Sequence, residues 1–244
     1  MKRITYIRLL LASCLLLTSL SCEIDNYDGP DASFSGSVRD AATGELVGTD
    51  IQNGSVIRAI ELGWETPTAQ NWVIKQNGEF RNDMVFAAHY DFEFINANFY
   101  PFTVKDFEIR KGSNTHDFEV TPYIRIRNAA ITRDEGAGRI VATFSLEVGK
   151  PEVKLAALRL YAFTDMYVGE QVKFATRGAD FSQTFSPAAD IDASATYTLS
   201  IDLAENAESF RYSRNYYFRI GALASVQGVG TVRHNYSPTV IIPM

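Results

Sequence analysis

The sequence predicts an all-β chain built as two β-sandwich domains. Three observations carry that reading. Apolar and polar residues alternate with a period of two in several runs. Turn residues separate those runs at short spacing, and no capped amphipathic stretch exceeds about two helical turns. Many short antiparallel strands at this spacing pack as sandwiches.

The 244-residue chain opens on Lys2, Arg3 and Arg8, followed by the apolar run Leu9 to Leu20. That run is too short to span a bilayer as a helix but fits the hydrophobic stretch of a signal peptide, residues 1–21. Ser21-Cys22 closes it as a bacterial lipoprotein signal, with Cys22 as the lipid attachment site. Leu11-Ala12-Ser13-Cys14 also reads as a cleavage box, but cutting there would strand Leu15-Leu16-Leu17 on the mature N-terminus. The longer apolar run favours Cys22; a secreted chain with an unmodified cysteine is the remaining alternative. Only two cysteines exist, so loss of Cys14 leaves no internal disulfide. Acylation would also protect the last thiol in an oxidising periplasm.

Residues 22–31 carry Glu23, Asp25, Asp28 and Asp31 among Asn26, Gly29 and Pro30. So few apolar groups cannot drive folding, and the segment reads as a solvated acidic tether. The formal net charge is −6, and losing the three basic residues of the signal leaves −9. Such a surface argues against nucleic acid, against docking on anionic lipid, and against an anionic substrate.

Residues 32–120 form the first block. Met84, Phe86, Ala88, Tyr90, Phe92 and Phe94 make an inward row, with His89, Asp91 and Glu93 facing out. Trp72, leading into Val73-Ile74, is expected to start a strand and pack inward. Asn53-Gly54 and Asn77-Gly78 favour the positive dihedrals of tight hairpins. A break falls near Thr121-Pro122, because proline cannot donate to a ladder and restricts the residue before it.

Residues 121–244 form the second block, opening with Tyr123-Ile124-Arg125-Ile126. Gly136-Ala137-Gly138 is a turn, and Ile140, Ala142, Phe144, Leu146 and Val148 alternate behind it. Tyr197, Leu199, Ile201 and Leu203 repeat the pattern. Ala204 to Ser213 is the best helical segment, and it is short. Gly228-Val229-Gly230 has no following helix and reads as a hairpin turn, not a phosphate loop.

Phe34-Ser35-Gly36-Ser37-Val38-Arg39-Asp40 with Thr43-Gly44-Glu45-Leu46, then Asn77-Gly78-Glu79-Phe80, resembles the carboxypeptidase regulatory-like (transthyretin-like) domain. That resemblance implies a non-catalytic spacer or docking module. Tyr216-Tyr217-Phe218-Arg219-Ile220-Gly221-Ala222 and Ser237-Pro238-Thr239-Val240 resemble the last strands of an immunoglobulin or fibronectin type III sandwich, with Tyr216 near the tyrosine that pins the strand corner. With the Cys22-Glu23-Ile24-Asp25 leader, and the ending Arg233-His234-Asn235-Tyr236-Ser237-Pro238, the chain resembles a two-domain Bacteroidetes lipoprotein family of unknown function. That family is found in SusC/SusD-type glycan-uptake loci. The resemblance implies a lipid-anchored place on the outer membrane, facing the cell surface, with glycan and SusC/SusD-type transporter components as partners. Acidic residues after the lipidated cysteine also resemble the signal that sends such proteins to the exterior.

Catalytic chemistry finds no foothold: no G-x-S-x-G elbow, no spare thiol, no paired-histidine metal spacing. His89, Asp91 and Glu93 share one strand face at roughly 7 Å steps, which does not converge on a metal. Asp25, Asp28 and Asp31 read as tether before calcium site, and Asp190-x-Asp192 as a turn. No enzyme, metal or cofactor is expected, although carboxylate pairs for glycoside hydrolysis need not be near in sequence. The aromatics Trp64, Trp72, Tyr100, Tyr161 and Tyr167 remain, most of them expected in the cores. Trp64 sits in Gly63-Trp64-Glu65-Thr66-Pro67-Thr68, a polar loop, and is the candidate glycan contact. The competing reading folds it over the edge of the first sandwich.

Overall fold

The computed structural model describes residues 28–244. Cys22, Cys14 and Asp25 therefore lie outside the described residues. The first half contains β1 (Ala32–Asp40), β2 (Val56–Glu61), β3 (Ala69–Val73), β4 (Glu79–Val85), β5 (Ala88–Phe94), β6 (Phe102–Ile109), β7 (Gly112–Thr115) and β8 (Phe118–Val120). One sheet orders as β4-β1-β7, with β8 also on β1; the facing sheet orders as β3-β2-β5-β6. The second half contains β9 (Ile124–Asp134), β10 (Arg139–Val148), β11 (Lys154–Phe163), β12 (Ser182–Ala189), β13 (Tyr197–Asp202), β14 (Asn215–Ser225), β15 (Asn235–Tyr236) and β16 (Val240–Pro243). Its sheets order as β13-β10-β9 and β12-β11-β14-β15, with β16 also on β14. Among the described residues there is no helix.

Each half closes its own core. Phe34, Trp72, Phe92 and Phe118 meet between the first pair of sheets, the Phe34 and Phe92 rings stacking at 5.4 Å. Such aromatic pairs add about 0.5–1.5 kcal/mol beyond area burial. Ile140, Ala142, Phe144 and Leu146 of β10 face Leu158, Leu160, Phe218 and Ile220 in the second core. The corner expected at Tyr216 is made: its hydroxyl donates to the Tyr212 carbonyl at 2.9 Å.

Five expectations need correction. Trp72 packs inward but does not start a strand, since β3 begins at Ala69 and Trp72 is its fourth residue. The row from Met84 to Phe94 is two strands in different sheets, because the chain crosses between sheets at Phe86-Ala87. That short link shifts the phase by one residue. Val85 is buried on β4, so Met84 is 71% exposed and Phe86 lies open, while Tyr90, Phe92 and Phe94 keep the inward phase on β5. Ser237–Thr239 is a break between β15 and β16, its Ser237 hydroxyl accepting the Ile220 N–H in place of a ladder bond. Asn53-Gly54 lies on the crossing from β1 to β2, which are not paired, although Asn53 does take φ +53°. Ala204–Ser213 folds as turns held by Asn206. Asn77-Gly78 and Gly136–Gly138 do turn between antiparallel neighbours.

A polar seam joins the halves. Arg125 of β9 grips both carboxylate oxygens of Asp40 at the end of β1, with both side chains nearly sealed from solvent. Arg219 of β14 donates to the carbonyls of Thr49, Gln76 and Ser237, each at 3.0 Å, under the ring of Tyr236. Asn235 donates to the Asn98 carbonyl at 2.7 Å and accepts the Ile124 N–H.

Candidate functional site

The connection from β2 to β3 turns at Gly63, whose φ of +97° suits a residue without a side chain. Pro67 keeps the loop out of any ladder. Trp64 follows Gly63 and is 64% exposed, whereas Trp72 on β3 is 7% exposed and packs on Phe34, Tyr90 and Phe92. The reading that folded Trp64 over the sandwich edge is therefore not what the structure adopts.

Trp64 lines an open cavity of about 460 Å³ together with Phe86, Glu61, Glu65, Thr66 and Gln70. Phe86 reaches it from the link between β4 and β5, which is the same phase shift that left its ring outside the core. The link is fixed on both sides. Its Phe86 carbonyl accepts the Tyr90 hydroxyl at 3.0 Å, and the Ala87 N–H donates to Asp31 at 2.9 Å. Burial, reinforced by the charge of Glu61, raises the Tyr90 phenol far above its ordinary range, so it stays a donor. A flat apolar face, a second ring, two carboxylates and neutral polar groups thus share one concavity. Isolated exposed apolar side chains need no explanation, but two aromatic rings lining one cavity make it the candidate binding surface of the first sandwich.

Phe86 and Glu61 were not singled out by sequence reasoning. Phe86 looked like core by period, and only the crossing between sheets reveals otherwise.

The other residues raised by the sequence are committed elsewhere. His89 pairs with Asp106 at 2.8 Å, Asp91 with Lys105 at 2.7 Å, and Glu93 with Arg58, so the three do not meet. Asp190 pairs with Lys154, and Asp192 accepts the backbone and hydroxyl of Ser194 in a turn. Asp31 is bound to the first sandwich, while Asp28 is exposed. Among the described residues no group of three or more His, Cys, Asp or Glu could hold a metal ion. Tyr100 donates to Glu152 at 2.8 Å beneath Lys150, and buried Tyr161 donates to Glu170 at 2.6 Å. Tyr167 is exposed but does not line the Trp64 cavity. Two further hollows, about 570 and 390 Å³, flank the seam and share Leu46, Gly48, Tyr236 and Pro238. The charged walls of the larger, Asp40, Arg125, Glu45 and Arg127, are already paired across the halves, and Arg219 of the smaller is bound to backbone carbonyls.

A family described as "Protein of unknown function (DUF3823) N-terminal domain" matches residues 32–121. A crystal structure from Bacteroides uniformis, of a candidate carbohydrate-binding protein, is 54% identical with a TM-score of 0.85. The match covers 88% of this chain and 100% of that one. A DUF3823 family protein from Parabacteroides merdae covers 88% and 100% at 20% identity and a TM-score of 0.68. Another from Bacteroides ovatus covers 87% and 98% at 18% identity and a TM-score of 0.67, and these two show the shared fold alone. No curated protein matches the chain.

Proposed function

This chain belongs to the DUF3823 family, and from that premise we propose a non-enzymatic, lipid-anchored glycan-binding protein of the outer-membrane surface. It would be accessory to polysaccharide capture or uptake beside SusC/SusD-type components. The observation that carries the reading is Trp64, exposed over a cavity rimmed by hydrogen-bonding groups. The Bacteroides uniformis relative, a candidate carbohydrate-binding protein, supports the ligand class. Cys22 supplies the lipid anchor, the first sandwich is carboxypeptidase regulatory-like, and the second is immunoglobulin-like. The rival reading is a docking protein that holds a transporter or partner lipoprotein and touches no sugar.

Comparing the two tryptophans tests the proposal. Trp64→Ala is expected to leave stability within about 0.5 kcal/mol, as for an exposed side chain. Trp72→Ala removes a buried ring and is expected to cost about 3–5 kcal/mol. In affinity electrophoresis through plant and host polysaccharides, wild type is retarded in at least one, and Trp64→Ala in none. Retention of Trp64→Ala equal to wild type removes Trp64 as the contact, and no retardation of wild type favours the docking protein.

A further inference from the structure

We infer that the Trp64 cavity takes uncharged glycan chains and turns away those bearing uronate or sulfate groups; this rests on the glycan reading above. The inference comes from how the charge around the cavity is distributed. Several carboxylates of the first sandwich are matched, Asp40 by Arg125, Asp91 by Lys105, Glu93 by Arg58 and Asp117 by Arg39, although Asp50, Glu79 and Glu119, which do not line this cavity, form no ion pair among the described residues. Glu61 and Glu65 have no ion-pair partner among the described residues, and both line the cavity. None of the residues lining it is Lys, Arg or His.

The neighbouring histidine does not compensate them. The His89 carbonyl accepts the Leu62 N–H at 2.8 Å, but its ring turns to Asp106. Tyr90, held protonated by burial and by Glu61, brings no positive charge.

An ionised carboxylate only accepts hydrogen bonds. Sugar hydroxyls are donors, and a bond to a charged acceptor is roughly twice as strong as a neutral one. Gln70, Thr66 and Thr68 supply both donors and acceptors beside the carboxylates. A neutral ring over Trp64 therefore meets both donors and acceptors on the rim. A ring carrying its own carboxylate or sulfate meets two uncompensated like charges and no cation. That repulsion acts through solvent, so added salt relieves it.

A polysaccharide and its carboxymethylated derivative share one backbone and isolate the charge effect. The full chain is run in gels containing pullulan, laminarin or xyloglucan and, in parallel, the carboxymethylated form of each. Mobility of every variant is first normalised in a gel without polysaccharide. Retardation is expected in at least one neutral gel, with roughly tenfold weaker apparent affinity for its carboxymethylated partner at low salt. The Glu61→Gln/Glu65→Gln double variant loses two charged acceptors, so it is expected to bind the neutral form more weakly than wild type and to narrow the gap between the two forms to less than about threefold. Equal affinity of wild type for both forms overturns the inference, as does a gap unchanged in the double variant. Retardation in none of the gels, neutral or charged, instead overturns the glycan reading on which it rests.

Discussion

His234 is held where its charge is unwelcome. Its ring faces Tyr161 at 6.2 Å and Tyr236 at 6.0 Å, and its carbonyl accepts Asn98 from the first sandwich. Burial lowers its pKa below the ordinary 6.5; Glu170 and Asp50 oppose this, while Lys173 and Arg159 add to it. A histidine with a lowered folded value binds a proton more readily when unfolded. Its contribution to stability is therefore complete above about 6.5 and falls as pH drops toward the folded value. Asp40 behaves differently. Burial would raise its pKa, but the Arg125 and Ala42 hydrogen bonds outweigh that and leave it below 3.8. Glu170 is likewise lowered below 4.5 against its burial, by Lys173 and Tyr161. Those carboxylates stabilise the fold above these values and lose that effect only in stronger acid. The melting temperature of wild type should thus already decline between pH 7 and 5, and His234→Gln should flatten that interval alone. An unchanged slope there would show that the ring is free to ionise in the folded chain.

At the scale of the element, strand alternation was readable in strands such as β10 and β13, but not in β9, whose burial does not alternate. The inward faces of β10 and β13 follow it through Ile140, Ala142, Phe144, Leu199 and Ile201. It failed at Phe86, because period two records which face a residue takes and not which sheet receives the next strand. The same blindness hid half of the candidate cavity: Trp64 announced itself through Gly63 and Pro67, but Phe86 was disguised as core. Tyr216 is the reverse case. The long loop before β14 obscured its corner bond in the sequence, yet its hydroxyl both donates to the Tyr212 carbonyl and accepts the Tyr212 N–H at 3.3 Å. Tyr216→Phe keeps the ring against Phe210 and removes only those bonds. It should cost about 1 kcal/mol in chemical denaturation, or about 2–4 °C of melting temperature for a chain this size. A variant as stable as wild type would mean that packing of the ring alone fixes the corner.

For the whole molecule, the seam was illegible because its partners lie far apart in sequence. Arg219 meets Thr49 and Gln76, and Arg125 meets Asp40, with no local period linking them. The seam nevertheless fixes which end of the first sandwich is free. Asp40, Thr49, Gln76 and Asn98 mark the end of that sandwich facing the second. Strand direction puts the β2–β3 loop and the β4–β5 link, with Trp64 and Phe86, at the opposite end. The chain enters there too, since Asp31 is bonded to Ala87 and Ala32 pairs with Val85. The β9–β10 turn around Ala137 lies at the far end of the second sandwich, away from Tyr123 and Pro122. With a lipid on Cys22, only residues 22–30 would separate the anchor from Asp31, a reach of roughly 30 Å at full extension. The Trp64 end would then stay close to the bilayer and the Ala137 end would project from it. With residues 1–21 removed and Cys22 acylated, the chain would retain no free thiol, so single labels at Thr66→Cys and Ala137→Cys could report this directly. In vesicles carrying an energy-transfer acceptor on the lipid headgroup, the label at position 66 should be strongly quenched and that at 137 weakly. Replacing Cys22 with Ala should abolish both signals by releasing the protein. Equal quenching, or stronger quenching at 137, would mean that the molecule lies flat or stands inverted, with the Trp64 cavity turned away from the membrane.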